Sequence, residues 1–169
     1  MKINYLIGNA TYPVGEGNKI IAHIVNTEKR WGKGFVLAIS KRWNEPERKY
    51  YSWAPPEKMM QHSAPPFKLG NIQTVQVEQD VAVCNMLAQK GLRASDNLVP
   101  LNYTALVSCL KELKTTAKKV HASVHMPYVI GCGLGGGNDS VVLKIIEEVF
   151  EDSNVEVFMY KLPELSKKM

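Results

Sequence analysis

Ile130-Gly131-Cys132-Gly133-Leu134-Gly135-Gly136-Gly137-Asn138-Asp139 is the stretch whose reading decides the fold. The segment before it, Ala122 to Ile130, is short, apolar and β-prone. The segment after it, Ser140 to Phe150, repeats apolar residues at helical spacing. Five of the seven residues from 131 to 137 are glycine, and ordering each one costs backbone entropy. Such a run between two ordered elements turns bare backbone N–H groups toward an anion. Strand, glycine loop and helix N-terminus together make an anion site. An ordinary tight connection is the plainer alternative.

Working back from this stretch, Leu101 to Lys119 is amphipathic, with Leu106, Leu110, Leu113 and Ala117 on one face. Its lysines (Lys111, Lys114, Lys118, Lys119) are mixed with Glu112 and read as a solvated face. Leu69 to Val77 and Asp80 to Gln89 are predicted strands joined by a hairpin at Glu78-Gln79. Trp53 to Phe67, with Pro55-Pro56 and Pro65-Pro66, is an irregular excursion. Phe35 to Trp43 is a helix, apolar nearly all round and so expected to be deeply buried; Glu45 to Tyr51 continues as helix. Lys19 to Val25 is a near-continuous apolar strand containing His23, expected at the centre of a sheet covered on both faces. Lys2 to Ile7 is a strand and Gly8-Asn9-Ala10-Thr11 a turn. Forward of the opening stretch, Val142, Ile145, Ile146 and Val149 form a buried stripe, Val155 to Leu162 is a last strand, and 163–169 is a loose tail. Alternating strands and helices predict a three-layer α/β/α sandwich with a mixed, mostly parallel central sheet. At 169 residues, 1–169 is read as a single domain.

Composition sets further bounds. The chain is 45% hydrophobic and 22% charged, with no apolar run of membrane-crossing length and no long apolar N-terminal stretch. A cytoplasmic location and no membrane partner are expected. Cys84, Cys109 and Cys132 lack zinc or redox spacing and read as reduced, mostly buried thiols. No His/Asp/Glu cluster has ligand spacing, so neither metal nor cofactor is implied. A net charge of +5 and a pI near 9.1 favour anionic partners. Few aromatics are interleaved with the basic residues, which argues against nucleic acid.

Ligands in such sheets bind beyond the carboxyl ends of strands. Three loops fall there: Gly8 to Thr11, Asn26 to Gly34 and Gly131 to Asp139. Gly131-Cys132-Gly133-Leu134-Gly135-Gly136 matches G-x-G-x-x-G literally, a weak signal alone. A Rossmann fingerprint belongs in the first βα turn, and here one helix and one strand remain after it. A Walker loop needs Lys-Ser or Lys-Thr after the last glycine, and none follows.

Set side by side, the three loops resemble those of the macrodomains, ADP-ribose-binding modules. The resemblance runs from Tyr5 to about Leu162. Tyr5-Leu6-Ile7-Gly8-Asn9-Ala10-Thr11 is similar to the family's first strand and adenine-binding turn. Ile20 to Asn26, then Trp31-Gly32-Lys33-Gly34-Phe35, is similar to its second strand and first glycine loop. His125-Met126-Pro127 with Ile130 to Leu134 is similar to the strand and second loop that clamp the diphosphate, and Val157 to Tyr160 to the closing strand. The pattern most resembles the branch of terminal ADP-ribose protein glycohydrolase and the yeast-type ADP-ribose 1″-phosphate phosphatase.

The resemblance implies roles residue by residue. Gly8, Asn9 and Ala10 would meet the adenine. Asn9 stands where the family usually has Asp, and would accept from the adenine amino group through its amide oxygen without charge assistance. A turn role is the alternative for Asn9. Gly32, Lys33, Gly34, Phe35 and Val36 would carry the first phosphate loop. Gly131, Cys132, Gly133, Leu134, Gly135, Gly136 and Gly137 would carry the second. Asn26 would orient the distal ribose or cap its own loop, and Phe35 would stack near that ribose or pack in the core. His23 is the catalytic candidate, as general base or proton donor at a distal phosphate. A buried, hydrogen-bonded strand histidine is the alternative. Gln89 and Gly135 occupy the positions of the glycohydrolase lysine and aspartate, so that mechanism does not carry over. Asp139, at the start of the helix, is explained by N-terminal capping and the helix dipole rather than by a catalytic role. One extra residue between Pro127 and Ile130 suggests a bulge. The ligand implied is ADP-ribose, ADP-ribose 1″-phosphate or an ADP-ribosylated protein, held by a monomer. The function implied is binding with hydrolysis at the distal end, or binding alone.

Overall fold

The computed structural model of the chain describes residues 3–58, 65–91, 100–130 and 136–163. The elements follow in the order β1 (Asn4–Ile7), β2 (Asn18–Asn26), α1 (Phe35–Arg42), α2 (Glu45–Ser52), a 3-10 turn (Pro56–Lys58), β3 (Ile72–Glu78), β4 (Val81–Gln89), α3 (Tyr103–Val120), β5 (Ala122–Pro127), α4 (Asp139–Phe150) and β6 (Val157–Lys161). The six strands form one sheet in the order β1-β6-β5-β2-β4-β3. Only the β3–β4 hairpin is antiparallel. The expected three-layer α/β/α architecture with a mixed, mostly parallel sheet is therefore the one observed.

β2 lies in the middle because its side chains are apolar on both faces. Ile20 and Ala22 face one way; Ile21 and Val25 face the other. α3 and α4 cover the first face. Leu106, Leu110 and Leu113 of α3, with Val142, Ile146 and Phe150 of α4, close over Ala82, Cys84, Met86, Val124 and Met126. α1, α2 and the excursion after them cover the second face. Ile39, Trp31, Trp43, Tyr50 and Trp53 pack there on Ile21, Val83 and Leu87.

Several local expectations change. α1 buries only Val36 and Ile39, and Leu37 is 57% exposed. The helix lies on the sheet with one stripe, so apolar residues off that stripe meet solvent whatever their composition. The cap of α4 is Asn138, whose side chain accepts from the Val141 backbone N–H at 3.2 Å. Asp139 stands one place later, in the first turn, where the helix dipole favours an acid. The extra residue before Ile130 does not bulge β5. The strand ends at Pro127 and residues 128–130 form a turn. Cys84 and Cys109 are buried free thiols, as expected, and burial raises the pKa of each. Cys132 lies outside the described residues.

Candidate functional site: three loops on one rim

β1, β6, β5, β2 and β4 run parallel, so their carboxyl ends share one rim. The turn after β1, the loop after β2 and the exit of the loop after β5 all leave from it. Gly131, Cys132, Gly133, Leu134 and Gly135 lie outside the described residues. Gly136 and Gly137 are described and half-buried, and Gly136 has φ +73°. Asn138 N–H, next in line, donates to the Tyr103 hydroxyl at 2.9 Å, which ties this exit to α3.

The loop after β2 is built around Asn26. Its amide oxygen accepts from the backbone N–H groups of Glu28 (3.0 Å) and Arg30 (3.2 Å). Its NH2 donates to Arg30 O at 2.8 Å. The Tyr50 hydroxyl, brought by α2, donates to Asn26 O at 2.6 Å with Asn26 Oδ1 at 3.0 Å. Asn26 is thus committed to its own loop. Lys29 donates to Tyr51 O (3.1 Å) and Trp53 O (2.7 Å), with its ammonium over the Phe67 ring. The ammonium so caps the chain leaving α2. Trp31 is buried and donates to Ser40 Oγ at 2.7 Å.

With its base fixed in this way, the loop delivers Gly32, Lys33 and Gly34 to the surface, all exposed. Gly32 and Gly34 have φ of +28° and +82°, and a Cβ at either would meet no atom of the described residues within 4 Å. The positive φ at both is what calls for glycine there. Gly34 is the N-cap of α1 and supplies no side-chain oxygen. α3 and α4 are both capped by asparagine side chains. Leu37 N–H turns back on Gly34 O at 3.0 Å, and the N–H groups of Phe35 and Val36 meet no capping side chain among the described residues. Phe35 is half-buried against the core and Val36 is buried. Gln89 stands beside Asn26 at the end of β4, and its side chain donates to Gly91 O at 3.1 Å.

The turn after β1 is equally fixed. Asn9 Oδ1 accepts from Thr11 N–H at 2.9 Å and from Thr11 Oγ1–H at 2.8 Å. That commits to the turn the amide oxygen that the family resemblance implies for the adenine amino group. Ala10 and Thr11 are buried. Thr11 O accepts from the Arg42 guanidinium, which lies over the Tyr12 and Trp43 rings and pairs with Glu78. Gly8 is half-buried, its N–H donating to Lys161 O at 2.8 Å.

His23 is 2% exposed and sits beneath the rim loops. Asn85 NH2 donates to Pro46 O (3.2 Å) and Gln73 Oε1 (3.0 Å), so its oxygen is the group that faces His23 at 2.6 Å. His23 Nε2 therefore carries a proton and donates it. Burial lowers the ring's pKa to about 4 despite this bond. The rings of Trp31 and Phe35 lie against it at 5.3 and 5.9 Å between centroids. The imidazole is neutral, and its Nε2 is held by a structural partner.

A second buried histidine lies between β2 and β6. The Tyr160 hydroxyl accepts from Val14 N–H at 2.9 Å and shares a hydrogen bond with His125 Nδ1 at 2.7 Å. His125 Nε2 shares another with Ser123 Oγ at 2.7 Å. Burial, helped by the nearby Lys19 charge, lowers its pKa to about 4. A cavity of about 410 Å³ opens beside Ser123, lined also by Glu16, Asn18, His121 and Glu156. It lies at the amino ends of β2, β5 and β6, the rim opposite the three loops.

Tyr50, Arg42, Thr11, Lys29 and Tyr103 are the bracing residues that sequence reasoning did not single out. Tyr50 and Arg42 act across 24 and 31 residues. No local pattern encodes such contacts.

Fold and rim together define a class: three-layer α/β/α domains with glycine loops gathered at the carboxyl ends of parallel strands. Comparison with solved structures narrows it. A protein of unknown function from Bacteroides thetaiotaomicron is 43% identical, with a TM-score of 0.85, over 96% of this chain and 99% of that one. A macrodomain protein from Streptomyces coelicolor is 38% identical, with a TM-score of 0.77, over 94% of this chain and 98% of that one. The chain belongs to the macrodomain family. Thermosipho africanus DarTG in complex with ADP-ribose shares the fold at 18% identity, with a TM-score of 0.64, over 86% of this chain and 38% of that one. Among curated proteins, chromodomain-helicase-DNA-binding protein 1-like of Mus musculus is 29% identical over 163 residues. The chain spans 18% or less of the length of the curated relatives it matches. No protein-family model matches the chain.

Proposed function

We infer that the chain binds ADP-ribose, free or as an ADP-ribosyl group, across the three rim loops. The observation that carries this is the uncapped N-terminus of α1. Gly34 supplies no side-chain cap; Leu37 N–H turns back on Gly34 O at 3.0 Å, and the N–H groups of Phe35 and Val36 have no partner among the described residues, while the asparagine caps of α3 and α4 are filled. Helix N–H groups and dipole favour a phosphate there. Gly136 and Gly137 lead into α4 from the connection after β5, the strand beside β2, and in this reading they supply the second loop at the diphosphate. DarTG of Thermosipho africanus, part of which shares this fold, is solved in complex with ADP-ribose. Binding is the leading reading because Asn85 holds His23 Nε2, the group expected to do chemistry.

Calorimetry with ADP-ribose tests the pocket, and saturable binding is expected. Gly136→Glu brings a carboxylate to a diphosphate site at φ +73° and abolishes binding. Undiminished affinity in that variant removes the second loop from the site. Phosphate release from ADP-ribose 1″-phosphate separates a hydrolase from a binding module. Release that His23→Ala abolishes would return the distal-end chemistry to His23.

A further inference from the structure

His125 is a buried titratable group that the ADP-ribose reading leaves unused. It is fully buried in β5, with the Phe158 ring stacked on it at 4.9 Å and the Tyr160 ring at 5.7 Å. Ser123, two residues back on the same face of the strand, places Oγ 2.7 Å from Nε2. Tyr160 on β6 places its hydroxyl 2.7 Å from Nδ1, and Val14 N–H holds that hydroxyl at 2.9 Å. A hydroxyl, an imidazole and a third group that orients the imidazole therefore stand in line. This is the arrangement that activates a serine for attack on carbon. Access completes it. Ser123 is half-buried and lines the cavity of about 410 Å³ at the amino ends of β2, β5 and β6, while His125 is sealed behind it.

We propose that this cavity is a second site, on the rim opposite the glycine loops, in which Ser123 is the nucleophile that hydrolyses a small activated ester. Ser123 Oγ bonds to the carbonyl carbon as its proton passes to His125 Nε2. The bond from that carbon to the leaving oxygen breaks, and the leaving group takes the proton from Nε2. A water then attacks the acyl-serine and gives a proton to Nε2. The acid departs as Ser123 Oγ takes that proton back. Ester and water become acid and alcohol, with no other reactant. Lys118 lines the same cavity and brings a positive charge to a site where a carbonyl oxygen becomes an oxyanion. Attack uses the arrangement with Nδ1–H toward the Tyr160 oxygen and Nε2 bare. The opposite arrangement is inert, and it leaves the Ser123 proton only Asn18 O, at 3.5 Å. The two differ by a ring tautomer and the rotation of two hydroxyls. The imidazole also sets the substrate class. Burial and the Lys19 charge lower its pKa to about 4, so it is a neutral but weak base. A weak base suffices where the leaving group is good, hence an aryl ester rather than an amide. The carboxylates of Glu16 and Glu156 outnumber the Lys118 ammonium on the cavity wall, so an uncharged ester enters better than an anionic one.

The test uses p-nitrophenyl acetate, an uncharged activated ester, on the wild type and on Ser123→Ala. Peptide mass spectrometry of the quenched wild type is expected to find the acetyl group on Ser123. Release of p-nitrophenol is expected to be roughly 10²-fold faster in the wild type than in Ser123→Ala, the low end for help from a general base. The wild-type rate holds steady between about pH 8 and 5, because His125 is neutral throughout. Chance acetylation of surface lysines slows as pH falls and persists in the variant. Equal release by the two proteins, or acetyl groups found only on other residues, overturns the proposal. If Ser123→Ala does not melt cooperatively, the position of the acetyl group in the wild type decides alone. ADP-ribose affinity is the same in both proteins, so failure here leaves the reading of the glycine loops standing.

Discussion

The two faces of the sheet are built from different materials. Under α3 and α4 the strands present Ala82, Cys84, Met86, Val124 and Met126 to leucines and valines. On the opposite face they present His23, Asn85, His125 and Lys19 beside Ile21, Val83 and Leu87; Trp31 and Phe35 lie against His23, and Phe158 and Tyr160 against His125. One face is a core that needs only volume and apolarity. The other is a network in which each polar group has a fixed partner. The bracing of two rim loops comes from the second face. Tyr50 and Lys29 fix the loop after β2, and Arg42 fixes the turn after β1. A site whose backbone must hold a ligand in register gains from hydrogen-bonded supports, because their geometry is specific where apolar contact is not.

Acid breaks this contrast most strongly, since it attacks one face only. His23 and His125 stay neutral in the folded chain down to about pH 4. In the unfolded chain a histidine protonates below about pH 6.5. Between those values the unfolded state binds more protons. Stability is therefore full above about pH 6.5 and falls as pH drops toward 4, by up to about 3 kcal/mol for each ring. Urea unfolding at pH 7.0, 6.0 and 5.0 measures it. A flat stability over that range would mean the rings are not held neutral.

Core truncation sharpens the same contrast. Leu110→Ala on α3 removes a fully buried side chain and is expected to cost about 2–5 kcal/mol. Nucleotide affinity stays unchanged, because Leu110 lies about two turns along α3 from Tyr103, the α3 residue that holds the exit of the second glycine loop. Ile39→Ala on α1 is expected to cost a similar amount of stability and also to weaken binding, since α1 carries Gly34 at its N-terminus. Equal affinity loss in both variants, measured by calorimetry well below their melting temperatures, would sink the division of labour.

The apolar face was the legible one. Leu106, Leu110 and Leu113 at helical spacing, and the unbroken run through β2, announce their partners through period and composition alone. The order of elements followed in the same way, and so did the hairpin, one residue late: Glu78 ends β3 and the turn is Gln79-Asp80. The polar face was legible only in part. The glycines at 32 and 34 marked a loop with unusual backbone, and His23 stood out within an apolar strand. Nothing local said that Asn85 would hold that imidazole, because the pairing joins strands 62 residues apart. The role of Asn9 also depends on Thr11, two residues on, and sequence alone does not say which atom of an amide is occupied. α1 read as deeply buried because composition was weighed above the width of its contact stripe, and Leu37 shows the difference.

The smallest change tests the contrast most cleanly. Tyr50→Phe keeps the ring packed on Trp31 and Phe67 and removes only the hydroxyl that donates to Asn26 O. The stability loss is expected to be about 1 kcal/mol. Asn26 loses its anchor to α2 while keeping its bonds to Glu28 and Arg30, so the loop stays formed but its placement over the rim loosens. ADP-ribose affinity falls about threefold to tenfold as the phosphate-facing N–H groups lose register. Ser108→Ala is the matching deletion on the other face, removing a hydroxyl that donates from α3 to Gly70 O at 3.0 Å. It is expected to cost no more stability and to leave affinity unchanged. Calorimetry on both variants separates the two outcomes. If Tyr50→Phe also binds like the wild type, the polar face supports the fold without tuning the site.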